Sequence, residues 1–180
     1  MSLLEIAKAI DSTSLSTSIK TISWIVPLVQ CFHILMVGVV FVSILMLSLR
    51  VLGRARTDEP LAMTWSRFAP FLWGGIVVLI ITGVLLVISE PVRELMALSF
   101  RLKMLLLAIG IVSAAVFGRR VRAEVAVAGS EPLVSGGMRM ASVATLVLWV
   151  AIIILGRTIA YDDSVWGSWS PAVLQRAGAL

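Results

Sequence analysis

Residues 22–49 read ISWIVPLVQCFHILMVGVVFVSILMLSL, and this stretch decides the fold class. No charged residue occurs between Lys20 and Arg50. A helix that crosses the hydrocarbon core of a bilayer needs only about 20 predominantly apolar residues. The sequence therefore predicts that residues 22–49 form one membrane-spanning helix.

The composition of the whole chain agrees with this interpretation. Of the 180 residues, 59% are hydrophobic and only 14% are charged, whereas a soluble domain carries about 25% charged residues. This balance excludes a soluble globular protein. The chain is also short enough that we expect one integral membrane domain covering residues 1–180.

Three further apolar stretches predict the remaining spans, at about 68–89, 95–118 and 140–161. The third is the weakest, because Arg101 and Lys103 fall inside it and only residues 104–117 are free of charge. The fourth is apolar until Arg157. Together with 22–49, these spans predict an all-α protein, a four-transmembrane-helix bundle. A short amphipathic N-terminal segment precedes it, in which one helical face carries Leu3, Ile6, Ala7 and Ile10.

The arginines predict how the bundle is oriented. They cluster between the first two spans and between the last two, at Arg50, Arg54, Arg56, Arg67, Arg119, Arg120, Arg122 and Arg139. Basic short connections stay on the cytoplasmic side. We therefore expect a multi-pass protein of the bacterial inner membrane with both termini in the periplasm. The net charge of +5 follows from these clusters, and no nucleic-acid partner is expected.

The chain has one histidine, His33, and one cysteine, Cys31. A single copy therefore excludes a bis-histidine site, a multi-thiolate zinc or iron–sulfur site and a disulfide. The sequence also contains no Ser-x-x-Lys pattern, no Gly-x-Ser-x-Gly pattern and no phosphate-binding glycine loop. We expect a protein that is not an enzyme by itself.

His33 is the first candidate for a functional residue. It lies roughly 13 Å below the outer interface, counted from Trp24 at 1.5 Å per residue. An ionisable side chain at that depth is a candidate for function. Gln30 is one helical turn earlier on the same face. His33 either binds a ligand or donates a hydrogen bond to Gln30 or to a carbonyl of a neighbouring helix, and the sequence leaves both open.

Lys103 and Arg157 enter the bilayer from the same side as His33, and either cation alone is satisfied by reaching back to the headgroups. Together the three suit a b-type haem, with iron on His33 and propionates on the two cations. Met36 and Met104 are the alternatives for a second axial ligand, but Met36 shares the helix of His33. A five-coordinate haem, or a haem shared between two chains, stays open.

Copper is the competing chemistry. Cys31, His33 and Met36 are the soft or borderline ligands that copper(I) prefers, and they lie close together in the sequence. Helical geometry opposes a shared site, because Cys31 and His33 are about 200° apart around the helix. A copper-handling or transport protein therefore remains the alternative from a different class.

Several short motifs carry a resemblance to a known family. They are Trp24-x-x-Pro27, His33, the LRVLG of residues 49–53, Thr82-Gly83, Phe100-x-x-Lys103 and the GRTIAY of residues 156–161. Over roughly residues 20–161 the chain resembles a family of small bacterial four-helix inner-membrane proteins, which is distantly similar to the membrane part of the copper-resistance D proteins. The resemblance implies an inner-membrane bundle marked by His33, Lys103 and Arg157, and it implies no particular activity.

These observations favour an electron-transfer component, or a membrane anchor for a periplasmic redox partner. We expect it to hold haem b or a quinone in the outer half of the bilayer, in a pocket formed by His33, Gln30, Thr82, Lys103 and Arg157. A ligand-free assembly subunit is the third possibility. The expected partners are the lipid bilayer and either a second copy of the chain or the other subunits of a membrane complex.

Overall fold

The structure is a computed structural model that describes residues 2–128 and 134–176. Within these ranges the chain is helical and forms no strand. The helices are α1 (Leu3–Asp11), α2 (Ser14–Thr21), α3 (Ile25–Val51), α4 (Leu61–Ser89), α5 (Pro91–Met96), α6 (Leu98–Ala128), α7 (Gly136–Thr158), α8 (Asp162–Trp166) and α9 (Pro171–Arg176). Short 3₁₀ turns at Ile159–Tyr161 and Gly167–Trp169 flank α8.

Four of these helices, α3, α4, α6 and α7, are long and apolar enough to cross a membrane. The predicted class is therefore confirmed: the chain is an all-α, multi-pass membrane protein whose apolar helices face lipid. The third long helix begins later than the predicted position 95, at Leu98, because Ala97 has an extended backbone that separates α5 from α6.

Local sequence explains where α3 starts and stops. Pro27 lies in its first turn, where the missing N–H has no helical partner to lose. At the other end Gly53 adopts a φ of 69°, and the N–H groups of Gly53 and Arg54 donate to the carbonyls of Arg50 and Leu49. This is a Schellman motif, in which a left-handed glycine satisfies the last helical carbonyls.

The four long helices form an antiparallel ring in the order α3, α4, α6, α7, with α7 closing against α3. The fully buried apolar residues of α3 all lie in its second half, at Val40, Ile44, Leu47 and Val51. Residues 25–39 of the same helix contain no fully buried position. The bundle is therefore tightly packed toward the α3–α4 connection and looser toward the start of α3.

The two ends of the bundle differ in character. We call the end with the α3–α4 connection (residues 52–60) the basic end, because it carries the arginine clusters. At the opposite end, here called the capped end, α1 packs against α5, and α8 and α9 lie close to α5 and α6. The predicted amphipathic segment forms α1, where Ser2 and Glu5 make a capping box and Ala7 is fully buried.

Glycines in α6 allow its neighbours to approach, as the spacing of Gly110, Ala114 and Gly118 predicts. Gly110 packs against Leu148 and Trp149 of α7. A Cβ on Gly118 would lie only 2.2 Å from Trp65 Cζ2 of α4. The indole of Trp65 is 5% exposed and belongs to the core, so it has little room to move.

Gly118→Ala should therefore destabilise the protein by about 1–3 kcal/mol, the usual effect of overpacking a core. The measurement is thermal unfolding of the purified protein in detergent. Gly74→Ala is the matched control, because a Cβ there would meet nothing within 4 Å. Equal unfolding temperatures for the two variants would contradict the contact between Gly118 and Trp65.

Candidate functional site

His33 contacts Thr82 across the interface between α3 and α4. The His33 Nδ1 and Thr82 Oγ1 atoms are 2.8 Å apart. Thr82 Oγ1 is also 2.8 Å from the carbonyl oxygen of Val78 and 3.4 Å from that of Leu79. The partner of His33 is thus a hydroxyl on a neighbouring helix, whereas the sequence suggested Gln30 or a backbone carbonyl.

The distances at Thr82 fit both tautomers of the imidazole. A threonine hydroxyl has one proton, which Thr82 donates either to the Val78 carbonyl or to His33 Nδ1. When Thr82 donates to Val78, the proton between the two side chains is on Nδ1, and Nδ1–H donates to Thr82 Oγ1. In that tautomer the Nε2 lone pair is available as an acceptor or a ligand.

Gly83 gives the imidazole its space. A Cβ at this position would lie 3.6 Å from His33 Cε1, so the ring lies close to the backbone of α4. His33 itself is half-buried. The Thr82-Gly83 pair therefore both orients the ring through its hydroxyl and accommodates it through the missing side chain.

Gln30 does not join this contact. Its side chain is exposed one turn before His33, and within residues 2–128 and 134–176 no hydrogen bond of its amide is found. Residue spacing placed Gln30 and His33 on one face correctly, but the ring is held from α4.

Lys103 is half-buried beside α7. Its side chain runs along the backbone of α7, and a Cβ on Gly156 would be 3.5 Å from Lys103 Nζ. Among the described residues no hydrogen bond or ion pair joins Lys103 to His33 or Thr82. The pocket that the sequence predicts around these three residues therefore stays a prediction.

Arg157 points elsewhere. Its side chain is exposed, with the guanidinium 5.3 Å from the centre of the Tyr161 ring and Nη2 3.4 Å from the Tyr161 hydroxyl. This arrangement is typical of a cation that reaches toward the interface beside an aromatic residue. No contact to Lys103 or His33 is found for Arg157 in the part of the chain that the structure describes.

Glu94 is a residue that the sequence analysis does not single out. It lies in α5 with a side chain that is 14% exposed, and its carboxylate is 3.7 Å from Arg93. Burial raises the pKa of Glu94 above its ordinary value, while the Arg93 and Lys103 cations oppose that rise. The acid thus lies at the capped end, paired with Arg93.

The second missed residue is Asp162, which fixes the start of α6. Its carboxylate accepts hydrogen bonds from the backbone N–H groups of Leu98 (3.1 Å) and Ser99 (2.9 Å) and from the Ser170 hydroxyl. The Ser99 hydroxyl in turn accepts from Trp166 Nε1 at 2.8 Å. A carboxylate from the start of α8 therefore caps the helix that carries Lys103.

Asp162→Ala should lower the stability by about 1–2 kcal/mol, the effect of losing a helix N-cap, because two N–H groups of α6 would lose their acceptor. Thermal unfolding in detergent measures this loss. Asp163→Ala is the matched control, since Asp163 is half-exposed and its ion pair with Arg176 lies at the surface. If both variants unfold alike, Asp162 does not anchor α6.

The possible metal ligands are sparse. Among the described residues no three His, Cys, Asp or Glu side chains group closely enough to hold a metal ion. Cys31 is a free, exposed thiol, as expected from its position about 200° around α3 from His33. His33 offers a single nitrogen as a metal ligand, which is Nε2 in the tautomer with the proton on Nδ1.

No family model, no curated protein and no solved structure matches the chain. The structure itself defines the class, an integral membrane bundle of four spanning helices. Within this class the distinguishing feature is an interhelical His33–Thr82 hydrogen bond with a lysine nearby.

Proposed function

We propose that the protein is a membrane electron-transfer component that holds a redox ligand, haem b or a quinol, at His33 Nε2. The observation that carries this proposal is the hydrogen bond between His33 Nδ1 and Thr82 Oγ1, which are 2.8 Å apart. A histidine that ligates a metal usually donates its other ring N–H to a fixed acceptor, which sets the tautomer and the ring orientation. In the tautomer with the proton on Nδ1, Thr82 would do this for His33.

The residues fit a haem in part. His33 would supply one nitrogen ligand to the iron, and Lys103 would pair with a propionate. Arg157 already contacts Tyr161, so the predicted second propionate contact requires its side chain to turn inward. Any further ligand would come from another chain. When bound, haem would supply one-electron transfer.

A quinol fits the same atoms. Its hydroxyl would donate to the Nε2 lone pair, while Thr82 keeps the imidazole oriented through Nδ1. Lys103 would donate to a ring oxygen, and Glu94 would offer a buried carboxyl for proton exchange at the capped end. Both ligands therefore require the Nε2 lone pair of His33, and both require Thr82 to orient the ring.

The looser half of the bundle offers a surface for the partners that the proposal includes. Residues 25–39 of α3 have no fully buried position, and α3 exposes Leu28, Phe32 and Leu35 there. A second copy, another subunit or a periplasmic redox partner with its own anchor would cover this face. A homo-oligomer would also bring a second His33 close enough to share one haem.

The spectrum and the lipid extract of the purified protein test the ligand. Wild-type protein in mild detergent should carry a haem with a Soret band that shifts on reduction, or a quinone recovered by solvent extraction. His33→Ala and His33→Gln should both lose it, because neither replacement is a comparable ligand. Thr82→Val should weaken retention about tenfold or more, as loss of a supporting hydrogen bond does.

Thr145→Val is the control for Thr82→Val. The Thr145 hydroxyl donates to the Ala141 carbonyl of its own helix, so this variant should keep the ligand. Wild-type protein that carries neither haem nor quinone would refute the proposal. Retention of the ligand by His33→Gln would also count against it, because His33 would then be a packing residue.

We also propose that the chain lies in a bacterial inner membrane with both termini in the periplasm, on the strength of the arginines at the basic end. In a Cys31→Ser background, an impermeant thiol reagent added to spheroplasts should label Ser168→Cys and spare Thr57→Cys. Both positions are exposed, at the capped end and the basic end respectively. The reverse labelling pattern would show that the bundle is inverted.

A further inference from the structure

A groove of about 580 Å³ runs between α4 and α6 at the basic end. Its α4 wall is one helical stripe from Ala62 to Trp73, and its α6 wall ends at Arg122. Ala62 and Trp73 are about 16 Å apart along the helix axis. One leaflet with its headgroups is about 20 Å thick, so the groove follows most of one leaflet from the interface inward.

The charge of the groove lies at its shallow part. Arg122 is exposed there and is the charged residue among the described lining residues. Ser66 lines the α4 wall, where Pro70 has no N–H to donate to the Ser66 carbonyl one turn before. The groove therefore offers a cation on α6 and a carbonyl acceptor on α4.

The deeper part of the groove is apolar and is bounded by aromatic rings. Trp65 forms its buried wall, and the half-buried Trp73 closes its deep end. Tryptophans near an interface combine an apolar ring with a polar N–H, which suits the boundary between headgroup and chain. The groove is thus amphipathic along the membrane normal, with its charge outermost.

We propose that this groove binds one anionic phospholipid, with the phosphate on Arg122 and an acyl chain along α4 toward Trp73. The positive charge around the groove complements an anionic headgroup, and this identifies the ligand. The same end of the bundle carries Arg54, Arg67, Arg119 and Arg120, and basic pockets between spanning helices attract anionic headgroups. A guanidinium pairs with phosphate through two parallel hydrogen bonds. This site lies at the end of the bundle opposite His33 and does not depend on the redox proposal.

Native mass spectrometry of the detergent-solubilised full chain tests the site. The probes are phosphatidylglycerol and phosphatidylcholine, each with two oleoyl chains. The wild-type protein should bind the first phosphatidylglycerol more tightly than the first phosphatidylcholine. Arg122→Gln should weaken phosphatidylglycerol binding about fivefold, the usual contribution of one basic residue at a membrane surface.

Arg139→Gln is the matched control, because Arg139 is exposed at the start of α7, at the same end, and does not line the groove. It should leave the affinity unchanged. An equal loss in both arginine variants would overturn the proposal, since it would indicate attraction by net charge alone. Equal affinity of the wild-type protein for the two lipids would overturn it as well.

Ala69→Leu provides a test that changes no charge. Ala69 lines the middle of the groove, and a larger apolar side chain there should exclude an acyl chain while Arg122 remains. Binding of phosphatidylglycerol should fall in this variant. If Ala69→Leu instead abolishes a dimer and leaves lipid binding intact, the groove is an interface between copies of the chain, and the proposal is wrong.

Discussion

The constraint on which this structure depends is that every backbone N–H and C=O near the hydrocarbon needs a partner. Continuous helices meet it except at their ends, and the most demanding end is the start of α6. There the extended Ala97 breaks the helix next to the membrane and leaves the N–H groups of Leu98 and Ser99 without helical acceptors. Asp162 accepts both hydrogen bonds and is 5% exposed. The short helices after α7 therefore complete the bundle, because they hold this carboxylate in place through Ser170.

That anchor explains how the candidate site is built. Lys103 is little more than one turn from Ser99, so the cap that fixes the start of α6 also fixes the level at which the ammonium lies. On the other side of the site, α3 and α4 pack tightly from Val40 to Val51. Toward the capped end the same pair opens, and His33 and Thr82 lie where the interface is half-buried. The rigid half sets the register of α3 against α4, and the looser half leaves the space around the imidazole.

The sequence predicts the spanning helices well because hydrophobicity and charge-free length are local properties. It also places Gln30 and His33 on one face of α3, since that follows from 3.6 residues per turn. Contacts between helices are different, because they depend on register and rotation. Nothing within α3 indicates that His33 meets Thr82 rather than a carbonyl. The link between Asp162 and Ser99 joins residues far apart in the chain. Of the residues that the sequence analysis missed, Asp162 alone has a recognisable signal. An acidic residue just after a spanning helix needs hydrogen-bond donors.

Lys103 and Arg157 show that depth in the membrane alone does not determine which contacts a cation makes. Both lie near the same end of the bundle, and the sequence treated them as a pair. Gly156 carries no side chain, and this gives the Lys103 side chain a path along α7 into the bundle. Arg157 is the next residue, rotated by about 100° around the same helix, so it faces away from that path and meets Tyr161. One glycine thus directs one cation inward while the helical repeat directs the other outward. The anionic group that a redox ligand presents should therefore meet Lys103 first, with Arg157 joining only if its contact to Tyr161 is broken.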